Sequence, residues 1–131
     1  MPEHTETIRV RYGETDQMGV VYHANYLLYF ETARTELLRA SGVAYRELEE
    51  QGIFLVVTEA ACQYRAPARY DEVLRITARV GGVGKARVRF DYVVRGSDGR
   101  LLTEGHTELA SVDRDKRPVR LPPELLRCLQ P

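Results

Sequence analysis

The sequence predicts an α+β fold, an antiparallel sheet of about five strands wrapped around one long helix. Three observations carry this. Only one long stretch holds helical periodicity. The stretches that flank it alternate or run apolar, as strands do. The later ones meet through short glycine-bearing turns, which join antiparallel neighbours. The chain has 131 residues, the length of one domain over 1–131, and needs no staple to hold a core.

Thr7 to Tyr12 alternates, with Ile8, Val10 and Tyr12 on one face and Thr7, Arg9 and Arg11 on the other, as in a half-buried strand. His4, before it, is expected in a frayed terminus. Residues 13–19 are loop chemistry, with glycine at both ends and polar side chains between. From about Ala24 to Ser41 the period changes. Tyr26, Tyr29, Phe30, Ala33, Leu37 and Ala40 fall on one helical stripe. Gly42 stops this helix of about 17 residues, roughly 25 Å long. A shorter helix is expected from Val43 to Gln51.

Ile53 to Arg65 is a long apolar run that reads as a strand, and Pro67 interrupts it. Leu74, Ile76, Ala78 and Val80 alternate with Arg75, Thr77 and Arg79; Gly81, Gly82 and Gly84 then mark a bend or bulge. Ala86, Val88, Phe90, Tyr92 and Val94 form the next alternating strand. Residues 97–100, Ser-Asp-Gly-Arg, signal a hairpin, because Asp-Gly tolerates positive φ. Leu101 to Val112 is the last strand, and Pro123 to Leu129 is expected as a short tail helix. The strand order does not follow from the pattern.

The 19 basic and 19 acidic side chains cancel, which argues against a nucleic-acid or membrane-surface binder. Cys62 and Cys128 lie far apart with no Cys/His cluster, so reduced thiols in a cytoplasmic protein are expected, not disulfides or a zinc site. The apolar runs are too short to span a bilayer, and the polar N-terminus does not read as a secretory signal. No phosphate-binding glycine motif is present, and no Ser or Cys sits in a nucleophile elbow.

The informative segment runs from Tyr12 to Tyr26 and joins the first strand to the long helix. It packs three groups capable of proton chemistry, Tyr12, Asp16 and His23, beside a helix start. A helix start offers unpaired N–H groups and partial positive charge, which stabilise an oxyanion and keep a carboxylate ionised. An ionised Asp beside a polarised acyl carbon acts as a nucleophile or as a base for water. The plainer readings are a turn-capping Asp16, a backbone-bonded His23 and a Tyr12 ring at the edge of the core.

The stretch Thr15-Asp16-Gln-Met-Gly19-Val-Val-Tyr-His23-Ala-Asn25-Tyr26, within Tyr12 to Gly42, resembles the 4-hydroxybenzoyl-CoA thioesterase family. It is most similar to the branch of short bacterial acyl-CoA thioesterases encoded near the Tol-Pal genes. Tyr64 to Glu72 is similar to that family's link between the second and third strands. The resemblance implies the hotdog fold and hydrolysis of an acyl-CoA thioester to free acid and coenzyme A. It assigns the catalytic carboxylate to Asp16, and to His23 the backbone N–H that faces the thioester oxygen. The His23 side chain and Tyr12 are implicated too. Asn25 and Tyr26 would line the buried end of the site, and Tyr26, Tyr29 and Phe54 are the candidates to line a short aliphatic or an aromatic acyl slot. Gly82, Val83, Gly84 and Lys85 match where relatives lay the pantetheine arm, and Lys85 and Arg87 offer cations to the phosphates.

The resemblance implies no metal or redox cofactor, since coenzyme A enters as part of the substrate. It also implies a homotetramer built as a dimer of dimers, each active site made by two chains. An acyl-carrier-protein thioester is the other substrate form. An acyl-thioester hydratase or dehydratase, and a non-catalytic acyl-CoA binding protein, are the competing readings.

Two acidic features remain. Glu59 interrupts an apolar run, and a buried carboxylate is costly, so it points to a substrate pocket or a partner. Glu104, His106 and Glu108 share one strand face and read as solvated rather than as a ligand set.

Overall fold

Period-two alternation decides which side chains of each strand meet the helix. In the computed structural model, which describes residues 2–130, five strands form one antiparallel sheet in the order β1-β3-β4-β5-β2. These are β1 Glu3–Arg9, β2 Phe54–Tyr64, β3 Val73–Val83, β4 Arg87–Arg95 and β5 Leu101–Val112. The helices are α1 Asn25–Ala40, α2 Tyr45–Glu50 and α3 Pro123–Leu129. Leu74, Ile76, Ala78 and Val80 of β3 and Val88, Phe90, Tyr92 and Val94 of β4 are buried. From α1, Tyr26, Tyr29, Phe30, Ala33, Leu37 and Leu38 are buried. Ala40, expected on that stripe, is exposed at the last turn.

The helix runs along β1 and β3, and Phe30 reaches from it across to β4. Its ring stacks on Tyr92 with centroids 4.3 Å apart and planes 3° from parallel. Gly105 of β5 makes room for it. A Cβ there would collide with the Ala61 carbonyl and stand 2.7 Å from the Phe30 ring.

The first strand differs from the alternation drawn over Thr7–Tyr12. It starts at Glu3 and stops at Arg9. His4 is therefore in the sheet and not frayed: it faces Ala78, and its Nε2 lies 2.8 Å from Glu6. Val10 leaves the ladder to donate its N–H to the Glu72 carbonyl at 2.9 Å. Tyr12 falls in a short 3-10 turn, 79% exposed, with its ring edge-on to Tyr70. The core-edge position expected for Tyr12 is thus wrong.

Glu59 is also misplaced by the apolar run around it. The β2–β5 register shifts between Val57 and Glu59. Before the shift Leu55 faces Ser111 and Val57 faces Leu109; beyond it Ala60, Cys62 and Tyr64 face Thr107, Gly105 and Thr103. One extra residue moves the helix-facing positions from odd to even numbers, so Glu59 turns outward. Its carboxylate is exposed and meets His106 Nε2 at 2.7 Å. A second shift, between Val80 and Gly82, is the bulge that the glycines signal. On the outer face Glu104 pairs with Arg65 at 3.2 Å.

Gly105→Ala should destabilise the fold by roughly 1–3 kcal/mol, the usual cost of overpacking, read as a lower denaturant midpoint at an unchanged slope. An unaltered midpoint would show that α1 does not depend on this contact.

Candidate active site

The segment from Thr15 to Val21 is a tight hairpin, closed by an isolated bridge between those residues. Asp16 N–H donates to the Val20 carbonyl and Gly19 N–H to the Asp16 carbonyl, each at 2.9 Å. Gly19 sits at φ 79°, a conformation side-chain-bearing residues rarely adopt. The Met18 N–H donates to Asp16 Oδ1 at 2.9 Å. This orients the carboxylate, and Oδ2 has no partner among the described residues. The hairpin is stitched to the β2–β3 link through Val21 N–H and the Ala68 carbonyl at 2.8 Å.

The chain then turns into α1. The backbone N–H groups of His23 and Ala24 have no acceptor among the described residues. The His23 carbonyl accepts the Tyr64 hydroxyl at 3.1 Å. The His23 ring lies 4.5 Å from that of Tyr22, centroid to centroid, and 6.3 Å from that of Tyr64. Asp16, Met18, Val20, Val21, His23, Tyr26, Tyr64, Arg65, Ala66 and Pro67 line a cleft of about 310 Å³. Asp16 and His23, the latter with an unpartnered backbone N–H, thus share one opening, a set that suits attack on an acyl carbon.

Of the residues singled out from sequence, Asp16, His23 and Tyr26 come together here. Tyr12 and Glu59 do not line the cleft. Asn25 does not either, because its Nδ2 donates to the Glu14 carbonyl at 2.8 Å. Tyr29 points its hydroxyl at Glu14 Oε1, 3.0 Å away. Burial and that carboxylate push the Tyr29 hydroxyl well above the usual tyrosine range. Gly82, Val83, Gly84, Lys85 and Arg87 surround the β3–β4 turn, in two shallow depressions of about 580 and 240 Å³. That turn lies at the opposite end of the sheet from Asp16, roughly 30 Å along β3 at 3.3 Å per residue.

A family model described as the thioesterase-like superfamily matches residues 10–129. The chain belongs to that superfamily. It is 38% identical over 120 residues to the acyl-CoA thioesterase YbgC of Haemophilus influenzae, covering 90% of this chain and 88% of the relative. To the acyl-CoA thioester hydrolase YbgC of Escherichia coli O157:H7 it is 33% identical over 119 residues, covering 91% and 86%. Its structure superposes on the DHNA-CoA thioesterase of Staphylococcus aureus with a TM-score of 0.90 at 35% identity, covering 92% and 82%. The hotdog architecture expected from the resemblance is the one observed.

Sequence reasoning missed two residues of this thioesterase-like site. Tyr64, quoted only as part of a link, braces the helix start through its hydroxyl. Burial comes first among the causes that push that hydroxyl up to about 12, and the Cys62 side chain adds to it. Glu14 falls in the stretch 13–19 that reads as loop chemistry. Its carboxylate accepts the Arg11 N–H at 2.9 Å, Arg11 Nε at 3.1 Å and the Tyr29 hydroxyl at 3.0 Å. Its carbonyl accepts Asn25 Nδ2 and the Tyr22 N–H, at 2.8 and 2.9 Å. The readable signal was a carboxylate two residues before Asp16 and fifteen before a tyrosine on the buried stripe.

Burial alone would raise the Glu14 carboxyl; the hydrogen bonds from Arg11 and Tyr29 outweigh it and hold the carboxyl below the ordinary glutamate range. A carboxyl lowered by folding stabilises the fold when ionised and loses that contribution as pH falls through its folded value. Glu14→Gln should therefore flatten the acid limb of thermal stability below the ordinary glutamate range, and lower stability near pH 7. A variant whose melting curve tracks the wild type across both limbs would remove Glu14 from this role.

Proposed function

We propose that the protein hydrolyses an acyl-CoA thioester to free acid and coenzyme A. One observation carries the reading: Asp16, with one carboxylate oxygen unpartnered, and His23, whose backbone N–H has no acceptor, line one cleft, and Ala24 follows directly at the helix start. The thioester oxygen would rest on those N–H groups, at the positive end of α1. Asp16 then attacks the acyl carbon, giving a mixed anhydride, or takes a proton from an attacking water. In either case the carbon–sulfur bond breaks and the thiolate leaves with a proton that His23 would supply; on the anhydride route a water then opens the anhydride, releasing the acid and restoring Asp16. A thioester is electrophilic enough for this set to act without a metal. Asn25 and Tyr29 serve by locking Glu14 and the hairpin, while Tyr26 borders the acyl carbon.

The coenzyme A phosphates fit the β3–β4 turn, where Lys85, Arg87 and the nearby Arg120 gather beside Gly82, Val83 and Gly84. One chain cannot present that turn to its own Asp16. A second copy can. β2 is an unpaired edge, and Val57 on it and Leu28 on α1 are 52% and 59% exposed. Antiparallel pairing of β2 with its twin would cover this strip. It would also lay the partner's β3–β4 turn at the cleft end of the joined sheet. The assembly proposed is a dimer of this kind, two of which make a tetramer. An acyl-carrier-protein substrate would enter by the same arm, since its pantetheine is identical.

Free thiol release from a panel of short, medium and long acyl-CoA esters tests the reading. Asp16→Asn should lower kcat at least about a hundredfold, the usual scale for removing a nucleophile or base, with little change in KM. Survival of turnover within a few fold would overturn it. Single turnover in heavy-oxygen water leaves label on Asp16 only if it attacks. Separately, Val57→Asp should halve or quarter the mass seen by light scattering and abolish turnover with it. A fully active monomer would refute the shared site.

A further inference from the structure

A second cavity, of about 550 Å³, opens between α1, α2 and the start of β2, lined by Arg34, Thr35, Leu38, Tyr45, Leu55 and Val57 among others. Arg34 is half-buried on its floor. The Nη1 of Arg34 donates to the buried Tyr92 hydroxyl at 3.2 Å and reaches Thr107 Oγ1 at 3.5 Å. The two hydroxyls are themselves joined at 2.6 Å. Other arginines lining the cavity have carboxylate partners, Arg39 with Glu36 at 3.3 Å and Arg46 with Glu50 at 3.8 Å. Arg34 has none within ion-pair distance among the described residues. Its Nε and Nη2 have no acceptor there either.

The place of this cavity matters as much as its charge. Leu55 and Val57 belong to the start of β2, while Tyr64 at its end borders the catalytic cleft. In the antiparallel β2 pairing proposed above, the start of one β2 lies against the end of the other. The register keeps Leu55, Val57 and Tyr64 all on the helix side of the sheet. The cavity of one chain therefore opens beside the partner subunit's Asp16.

We propose that this cavity receives the acyl group held at the partner's cleft, and that Arg34 selects acyl groups ending in a carboxylate. The proposal rests on the thioesterase reading and names its substrate class. A half-buried guanidinium without a counter-charge is unfavourable, and the remedy is an anion with two hydrogen bonds. Tyr92 and Thr107 fix one nitrogen, which leaves the Nε–Nη2 edge, the geometry that grips a carboxylate through both oxygens. Glu31 and Glu49 stand at the exposed lip, where solvent screens them. They disfavour a free anion, but less so one tethered to a bound thioester. A plain hydrocarbon would leave the guanidinium stranded.

The test compares kcat/KM for succinyl-, glutaryl- and adipoyl-CoA with the unsubstituted esters of equal length, in the full-length protein and in Arg34→Gln. The wild type should favour the carboxylated ester by about tenfold or more at one chain length, the effect of one charge-assisted pair. In Arg34→Gln that ratio should fall to near one, through a higher KM for the carboxylated ester. A wild-type ratio near one at every length overturns the proposal without any variant. Equal loss on both series in Arg34→Gln would assign Arg34 a structural role and overturn it too. Turnover of the unsubstituted esters that Asp16→Asn abolishes keeps the thioesterase reading intact in those cases. Absence of turnover on both series would sink the two together.

Discussion

The stack of Phe30 on Tyr92, laid over the bare backbone of Gly105, is the contact on which the seating of α1 depends. Phe30 can lie flat on Tyr92 only because Gly105 removes a side chain from the strand beneath. This side-chain contact adds to the packing of the helix along β1 and β3. From there the helix start, led in by His23 and Ala24, lies toward one end of the sheet, and Arg34 reaches Thr107 of β5 on the other side of Phe30. A larger residue at 105 would lift the helix and move both at once. The site and the candidate acyl pocket therefore share one mechanical support.

Support along the helix axis is not enough, because Asp16 rides on a loop. The loop is held by a second device, built from backbone as much as side chain. Glu14 accepts from Arg11 and Tyr29 with its carboxylate and from Tyr22 and Asn25 with its carbonyl. The hairpin itself is closed by Gly19 at positive φ. Five hydrogen bonds accepted by one glutamate hold the carboxylate-bearing turn in register with the helix start. Polar residues near a site thus divide into those that face the cleft and those that aim it, and their types do not distinguish them.

That division explains which parts were legible in the sequence. Periodicity showed the elements because burial enforces it: β3, β4 and the α1 stripe follow the alternation of Leu74–Val80, Val88–Val94 and Tyr26–Leu37. It failed at Glu59, where one inserted residue swaps the faces of β2, and pattern has no memory across a bulge. It failed at Tyr12, which shares the parity of Ile8 and Val10 but follows the end of the strand. Asp16 and His23 were legible because they are neighbours in sequence as well as in space. Tyr64 and Arg34 were not, since each meets its partner across more than forty residues. Strand order, too, is a matter of pairing between distant segments, and no local signal carries it.

Two incomplete features of the single chain have one solution. The sheet ends on an eleven-residue strand with an open edge and exposed valines, an arrangement that invites pairing. The Asp16 cleft sits at one end of the sheet, and the cationic glycine turn sits at the other. Parallel pairing of β2 with its twin would close the edge and leave each cleft facing the same end as before. Antiparallel pairing closes the edge and also brings each cleft to the opposite end of its neighbour, beside both the turn and the Arg34 cavity. The two-fold axis of such a dimer would make two equal sites, each drawing on both chains. In this arrangement association and substrate recognition depend on the same strand, so a change in the β2 edge alters both.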